Sequence, residues 1–168
     1  ILRPKQARSI PMPLGTAIVR VGELTAAMTG ANRAALDASG IEYHVLHLHP
    51  GQHAGYFPGT EQIHLVVHIR KSDGIVLGAQ AVGKDGVDKR IDVLATAIRN
   101  HMAAPDLIDL DLAYAPPYGS AKDPINMVGM VATNVMDGLM DLWYAEDFVS
   151  VQQEALILDV RSAGEFAT

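Results

Sequence analysis

Short runs of alternating apolar and polar residues in the first half of the chain predict β-strands. Gly15–Val21 alternates in this way, and Leu24–Met28 continues the pattern after a break at Gly22. Tyr43–Leu48 alternates again and ends before Pro50. Because successive side chains of a strand point to opposite faces, each of these runs can bury one face against a core.

Two further runs are predicted to form a hairpin. Gln62–Arg70 and Ile75–Val82 flank a polar turn that ends in Asp73 and Gly74. Both residue types are favoured in tight turns, and we expect the two residues to supply the positive φ angles. Strands joined by short connections pair in opposite directions, so the pattern predicts an antiparallel sheet.

Helical patterns lie between and after these strands. A short helix is expected between Asn32, a common N-cap type, and Gly40, which suits a left-handed C-cap. A longer helix is expected over residues 88–102, with Asp88 as its cap and Pro105 ending it. The apolar stripe of this longer helix consists of Ile91, Leu94 and Ile98.

A further helix is predicted over residues 123–139. Asp123 is a preferred N-cap, and Pro124 fits the first helical position because its fixed φ is already helical. Gly138 weakens the end of the helix. Apolar residues follow at helical spacing, at Met127, Met130, Val131 and Val135.

Strands that precede helices predict an α+β domain, with an antiparallel sheet and helices packed on one side. Residues 1–13 are expected to form an extended lead-in, since they contain three prolines and no periodicity. Near the other end, residues 143–148 suit a short amphipathic helix, and residues 154–161 suit a buried strand. A single strand cannot bury its faces alone, so we expect this end of the chain to need partners.

Composition narrows the possible functions. The chain has 168 residues, 49% of them hydrophobic, and a formal net charge of −6, so nothing indicates nucleic acid or an anionic membrane as partner. No apolar run approaches the ~20 residues that span a bilayer. Cysteine is absent, which excludes thiol chemistry by the chain's own residues and fits a cytoplasmic location. The start at Ile1, without Met, leads us to expect a truncated or processed chain.

Three segments, in order and spacing, resemble one known family. They are His53–Gly59 (HAGYFPG), Gly78–Asp92 (GAQAVGKDGVDKRID) and Ala113–Pro124 (AYAPPYGSAKDP). Together they resemble the dimerisation domain of coenzyme A-disulfide reductases and related NADH oxidases, within the pyridine nucleotide-disulfide oxidoreductases. The resemblance implies a dimerisation domain over residues 14–140, in an FAD- and NAD(P)H-dependent parent enzyme that acts on coenzyme A disulfide as a homodimer.

The C-terminal residues resemble a different family. Leu156–Arg161 (LILDVR), followed by Gly164–Phe166 (GEF), is similar to the opening strand and helix of a rhodanese domain. Residues 141–153 would then be a linker, and residues 154–168 a truncated rhodanese-like start. The chain lacks the redox cysteine and any Gly-x-Gly-x-x-Gly fingerprint, so we expect no cofactor on this chain alone and no enzyme activity without the rest of the parent.

The resemblance also implies a catalytic role for two tyrosines. By motif position they are Tyr56 and Tyr114, which would act in trans on the partner subunit's active site. A phenol suits this role because it donates a hydrogen bond to a developing thiolate and stays protonated near neutral pH. Composition alone would favour two tyrosines at the margin of the core. His53, Tyr118 and Lys122 are the candidate substrate-binding residues beside them.

Two groups of residues leave alternatives open. Lys89 and Arg90 could make contacts between subunits or with phosphate, or belong to a polar segment that caps the following helix. Six histidines between residues 44 and 68 raise the alternative of a non-catalytic, His-rich metal-binding module, although a solvated strand face explains them as well, and we assign no metal ligand. On the same scaffold, the parent could instead be an NADH oxidase or a persulfide or polysulfide reductase.

Overall fold

The computed structural model describes residues 9–167 and has the predicted α+β architecture. Five strands form one antiparallel sheet in the order β1-β2-β5-β4-β3. Their bounds lie within two residues of the predicted runs: β1 Ala17–Val21, β2 Leu24–Gly30, β3 Tyr43–Leu48, β4 Ile63–Arg70 and β5 Val76–Gly83.

Helices occupy the connections and the second half of the chain. Two of them, α2 (Val87–Arg99) and α3 (Pro124–Met136), pack against one face of the sheet. The predicted stripe of α2, Ile91, Leu94 and Ile98, is buried there as expected. The stripe predicted for α3 is only partly correct: Val135 is buried, whereas Met127, Met130 and Val131 are half-buried, and Ile125, Val128 and Ala132 are buried as well. A 3₁₀ helix, Ala104–Asp109, lies between α2 and α3 and packs on α3. The helices are α1 Arg33–Ser39, α2 Val87–Arg99, α3 Pro124–Met136, α4 Phe148–Glu154 and α5 Ala163–Phe166.

The core lies between the sheet and these two helices. Alternate residues of β4, among them Ile63, Leu65 and Val67, have no exposed surface and point at α2 and α3. Leu94 of α2 and Ile125 of α3 are also fully buried and meet them there. Burying one such side chain contributes roughly 1.5–3 kcal/mol.

Local capping signals were correct for α1 and α3. The Asn32 side chain accepts a hydrogen bond from the backbone N–H of Ala35, and Gly40 ends α1 with φ 71°. At α3, the Asp123 carboxylate accepts from the N–H of Ile125, while Asn126 accepts from the N–H of Asp123. These reciprocal bonds form a capping box that fixes where α3 begins.

Three local predictions were wrong. Only Gly74 of the hairpin turn has positive φ; Asp73 instead accepts hydrogen bonds from the N–H of Ile75 and the side chain of Arg70. Asp88 does not cap α2, because the helix already begins at Val87. Pro105 does not end that helix either: α2 stops at Arg99, and the proline lies in the first turn of the following 3₁₀ helix.

After α3 the chain crosses to the free edge of β3. The Tyr144 hydroxyl donates to the Val45 carbonyl (3.2 Å) and accepts from the Val45 N–H (3.1 Å), which satisfies an exposed strand edge. The expected helix over 143–148 is a 3₁₀ turn, Ala145–Asp147, that continues into α4.

The strand predicted over residues 154–161 does not form. The segment after α4 is exposed, and within residues 9–167 it pairs with no strand before α5 begins. A strand needs such a neighbour to complete its backbone hydrogen bonds. Residues 1–8 of the expected lead-in lie outside the described part of the chain. The proposed division into lead-in, domain, linker and rhodanese-like start stays a prediction.

Candidate functional site

Two loops at one end of the sheet bring Tyr56 and Tyr114 together. One loop connects β3 to β4 and carries Tyr56; the other leads from the 3₁₀ helix to α3 and carries Tyr114. The two hydroxyl oxygens are 3.3 Å apart, within hydrogen-bonding distance. Residues 58 positions apart in sequence therefore form one pair, which we call the tyrosine pair.

The tyrosine pair faces solvent. Tyr56 is 77% exposed and Tyr114 is 48% exposed, so neither ring fills the core. The hydrogen bond with Tyr114, followed by partial desolvation, raises the pKa of Tyr56 above its usual 10. Tyr56 consequently stays protonated throughout the neutral range. One hydroxyl can donate to its neighbour while the other donates to an incoming group, an arrangement suited to a negatively charged ligand atom.

The loop that carries Tyr56 is closed by its own hydrogen bonds. Gln52 pairs with Glu61 through both backbone and side chain, and its amide also donates to the carbonyl of Gly59 (3.1 Å). Across the loop, the Thr60 hydroxyl lies within bonding distance of the carbonyls of Ala54 and Phe57. These hydrogen bonds hold residues 52–61 together as one unit, so the position of the loop depends on the contacts at its two ends.

His53 lies inside this loop and contacts its backbone. It is 8% exposed, and its Nδ1 lies 3.0 Å from the Ala54 carbonyl and 3.2 Å from the Thr60 hydroxyl. Its ring packs edge-on against Phe57. The structure thus places His53 inside the loop, with the tyrosine pair on the outside, and its predicted substrate-binding role stays a prediction.

Tyr118 and Lys122 lie on the second loop and are exposed. Tyr118 lines a cleft of about 290 Å³ together with Gln52 and Lys89. The adjacent Gly119 carbonyl accepts from the N–H of Ala54 at 2.9 Å, which joins the two loops directly. The predicted substrate-binding roles of Tyr118 and Lys122 stay predictions.

The histidines do not gather into a metal site within the described residues. His49 and His64 are cross-strand neighbours with their Nδ1 atoms 2.8 Å apart, and residues 9–167 hold no group of three potential ligands around one point. His47 packs against Tyr144, and His68 is buried beside Tyr43. The metal-binding alternative lacks its ligand set in this part of the chain.

Sequence reasoning missed a buried ion pair beneath the two loops. Arg90 of α2 and Asp123, the N-cap of α3, are 1% and 3% exposed, and their charged groups are 2.8 Å apart. A signal was present: Arg90 occupies the same helical stripe as Val87 and Leu94, both buried. A charged residue at a core position requires a buried partner of opposite charge.

Comparison with known proteins identifies the family. Residues 16–124 match the sequence profile described as "Pyridine nucleotide-disulphide oxidoreductase, dimerisation domain". The chain belongs to this dimerisation-domain family. The match begins just before β1 and ends at the start of α3, so it includes both tyrosines of the pair and the Arg90–Asp123 ion pair. The resemblance carried by the three motifs is confirmed.

Several curated relatives of this dimerisation domain are named coenzyme A disulfide reductase. The domain is 41% identical over 122 residues to "Coenzyme A disulfide reductase" from Staphylococcus haemolyticus, covering 73% of this chain and 27% of that protein. It is 42% identical over 119 residues to the protein of the same name from Staphylococcus aureus strain bovine RF122, covering 71% of this chain and 27% of that protein. The chain thus spans about a quarter of the length of these relatives.

Solved structures share the fold of the domain. "Reduced Bacillus anthracis CoADR-RHD" superposes with a TM-score of 0.88 at 42% identity, over 92% of this chain and 28% of that one. A "NAD-Dependent Persulfide Reductase" from A. fulgidus gives 0.77 at 40% identity, over 82% and 26%. The water-forming NADH oxidase of Lactobacillus brevis gives 0.71 at 17% identity, over 77% and 29%, which shows the fold alone.

No helix among the described residues is long and apolar enough to cross a membrane.

Proposed function

We propose that this dimerisation domain belongs to a flavin-dependent coenzyme A-disulfide reductase and completes the active site of the partner subunit. The relatives named for this activity are 41–42% identical to the chain, which supports the assignment. The parent would be a cytoplasmic homodimer that uses FAD and NAD(P)H. The chain has no cysteine and no Gly-x-Gly-x-x-Gly loop, so we assign none of its residues to the redox centre or to either cofactor.

The observation that carries the proposal is the exposed tyrosine pair, with its hydroxyls 3.3 Å apart. FAD and NAD(P)H, held by other domains, would supply the two electrons that break a disulfide between coenzyme A and the parent's cysteine. As the sulfur–sulfur bond breaks, coenzyme A leaves as a thiolate. One hydroxyl of the tyrosine pair would donate a hydrogen bond to this sulfur while accepting one from the other hydroxyl. Together they would stabilise the charge that develops on the sulfur, without transferring a proton.

Dimerisation needs an apolar surface that this domain leaves uncovered. Helices α2 and α3 are candidates for part of this surface: Leu94 and Val128 lie fully in the core, but Met127, Met130 and Val131 of α3 are only half-buried. The edge strand β1 also exposes Ile18 (57%), Val19 (55%) and Val21 (72%). Val19 and Val21 lie on the same face of this edge strand, and uncovered apolar side chains that lie together are typical of a protein–protein contact. They support β1 as part of the proposed homodimer interface.

The tyrosines are tested by phenylalanine substitution in the full-length enzyme. Tyr56→Phe and Tyr114→Phe should each lower turnover of coenzyme A disulfide by about tenfold or more, since a hydrogen bond to a charged group contributes roughly 1.5–3 kcal/mol. Tyr43→Phe is the control, because its hydroxyl bonds Asp37 outside both loops. Unchanged kinetics in both Tyr56 and Tyr114 variants would remove the assigned role.

Persulfide reduction is the second candidate, because the persulfide reductase of A. fulgidus is 40% identical over most of the chain. Both reactions release a sulfur anion that the tyrosine pair can stabilise. Parallel turnover measurements with coenzyme A disulfide and coenzyme A persulfide distinguish them. A higher kcat/KM for the persulfide would replace the first proposal by the second.

A further inference from the structure

Two consecutive basic residues of α2 hold both tyrosine loops. Lys89 donates from Nζ to the carbonyl of Ala113 at 3.0 Å and lies 3.6 Å from the Asp123 carboxylate. Ala113 directly precedes Tyr114 in the chain. Lys89 therefore fixes the backbone from which the Tyr114 side chain projects.

Arg90 holds the other loop. Its Nη2 donates to the carbonyl of Gln52 at 2.7 Å and to the Asp123 carboxylate at 2.8 Å, and its Nε donates to the same carboxylate at 3.3 Å. Gln52 is hydrogen-bonded to Gly59 and Glu61 and so begins the hydrogen-bonded loop over residues 52–61, which carries Tyr56. The planar guanidinium can serve both acceptors at once because its donors diverge in a fixed fork.

The surroundings of Arg90 fit an arginine in both shape and charge. A Cβ on Gly86 would collide with the guanidinium, so the position before α2 suits a glycine, which also takes φ 71° there. One carboxylate, Asp123, faces the two cations of Lys89 and Arg90. Other donors of the two cations go to backbone carbonyls: those of Ala113 and Gln52 in the two loops, and that of Gly86 just before α2. Both charges are therefore hydrogen-bonded.

We propose that Lys89 and Arg90 are positioning residues that set the separation of the Tyr56 and Tyr114 hydroxyls. Each of them connects α2, which is fixed in the core, to the loop that presents one tyrosine. The Asp123 carboxylate, shared by both, fixes the two connections relative to each other. The catalytic consequence rests on the function proposed for the tyrosine pair, whereas the geometric claim stands on the contacts alone.

The geometric claim is tested on the 168-residue chain by NMR. Unsubstituted protein should show a nuclear Overhauser contact between the Tyr56 and Tyr114 rings, and the pKa of Tyr56 should lie above 10. Lys89→Met keeps the length of the side chain but removes its donor, so it should abolish the contact and return the Tyr56 pKa towards 10. Lys89→Arg should restore both. Lys71→Met, which removes an exposed lysine near Glu42, is the matched control and should change neither.

Arg90→Lys tests the second connection, with Arg70→Lys as its control because Arg70 forms an exposed pair with Asp73. Should Arg90→Lys fail to fold, Asp123→Asn replaces it, since asparagine keeps the helix cap but not the charge. Loss of the ring contact in a folded variant supports the proposal. A persistent contact in Lys89→Met and in Arg90→Lys or its replacement, or its absence from the unsubstituted chain, would overturn it.

Kinetics of the full-length enzyme separate this proposal from the proposed function. Lys89→Met should lower kcat at least about threefold, because a displaced donor no longer meets the developing charge, and Lys89→Arg should recover it. A lost ring contact with unchanged kcat would leave the positioning role intact and contradict the catalytic role of the tyrosine pair. A retained contact with lowered kcat would contradict the positioning role.

Discussion

Asn126 provides the most quantitative test of how the second loop is built. Its side chain is 92% buried at the start of α3, and its Nδ2 lies 3.0–3.1 Å from the carbonyls of Leu107, Ile108 and Leu110. Its Oδ1 accepts from the N–H of Asp123. Asn126→Ala removes two N–H donors and one acceptor from a buried position, and with them the side-chain bonds to the three carbonyls and to the Asp123 N–H.

The expected cost follows from these bonds. At about 1 kcal/mol for each of roughly three bonds, Asn126→Ala should lower the free energy of unfolding by about 3 kcal/mol. Chemical denaturation of the 168-residue chain, followed by far-UV circular dichroism, measures it. Asn134→Ala, an exposed asparagine on the same helix, is the control and should change stability by less than about 0.5 kcal/mol. A loss below about 1 kcal/mol for Asn126→Ala would refute the assigned contacts.

Two further substitutions test the sheet. Burial, and then the nearby His47, lower the pKa of His68 below its usual 6.5. Below pH 6.5 this histidine is therefore protonated more readily in the unfolded chain than in the folded one. The free energy of unfolding consequently falls as the pH drops from 6.5 towards the folded-state pKa. His68→Gln should reduce this decline between pH 7.5 and 5.5 in denaturation experiments, and exposed His101→Gln should not; equal declines would contradict the burial argument. Gly78→Ala would place a Cβ against the backbone of Ala31, with an expected loss of about 2 kcal/mol or more. Gly55→Ala meets no atom within 4 Å, and an equal loss there in the same denaturation assay would show that close approach is not the cause.

Local sequence signals predicted most of the fold because they act over a few residues. The cap of α1 at Asn32 and the Asp123-Pro124 start of α3 are set by side chains that bond their own helix. The strand runs were equally visible, since one face of each had to meet the core. Strand order was not predicted, because the pairing of β2 with β5 joins residues that are 48 (Gly30 and Gly78) to 58 (Thr25 and Gly83) positions apart in the chain.

Local sequence signals did not correctly predict the structure of residues 154–161. Their apolar composition favours a strand, but a strand forms only beside another strand that completes its hydrogen bonds. Among the described residues, the segment pairs with neither edge strand of the sheet, and Tyr144 takes the backbone groups of Val45 on the β3 edge. Composition predicts that a segment prefers the strand conformation, but the strand forms only where the folded structure places a second strand beside it.

The candidate site was predictable in part. Tyr56 and Tyr114 were singled out through the family resemblance, whereas composition alone would have placed them at the core margin. The contacts that bring them together join Lys89 to Ala113 and Arg90 to Gln52, across 24 and 38 residues. No periodicity in the sequence encodes such contacts, although an arginine within the apolar stripe of α2 indicated that a buried partner had to exist.

Mixed dimers test the central claim most directly, that the tyrosine pair acts on the partner's active site. Full-length subunits that carry Tyr56→Phe and Tyr114→Phe would be mixed in equal amounts, under conditions that exchange subunits, with subunits lacking the redox cysteine. If the tyrosines act in trans, half of the dimers contain one complete active site, so activity should recover to about a quarter of the wild-type value although each parent is impaired. Activity that stays at the average of the two parents would contradict the account.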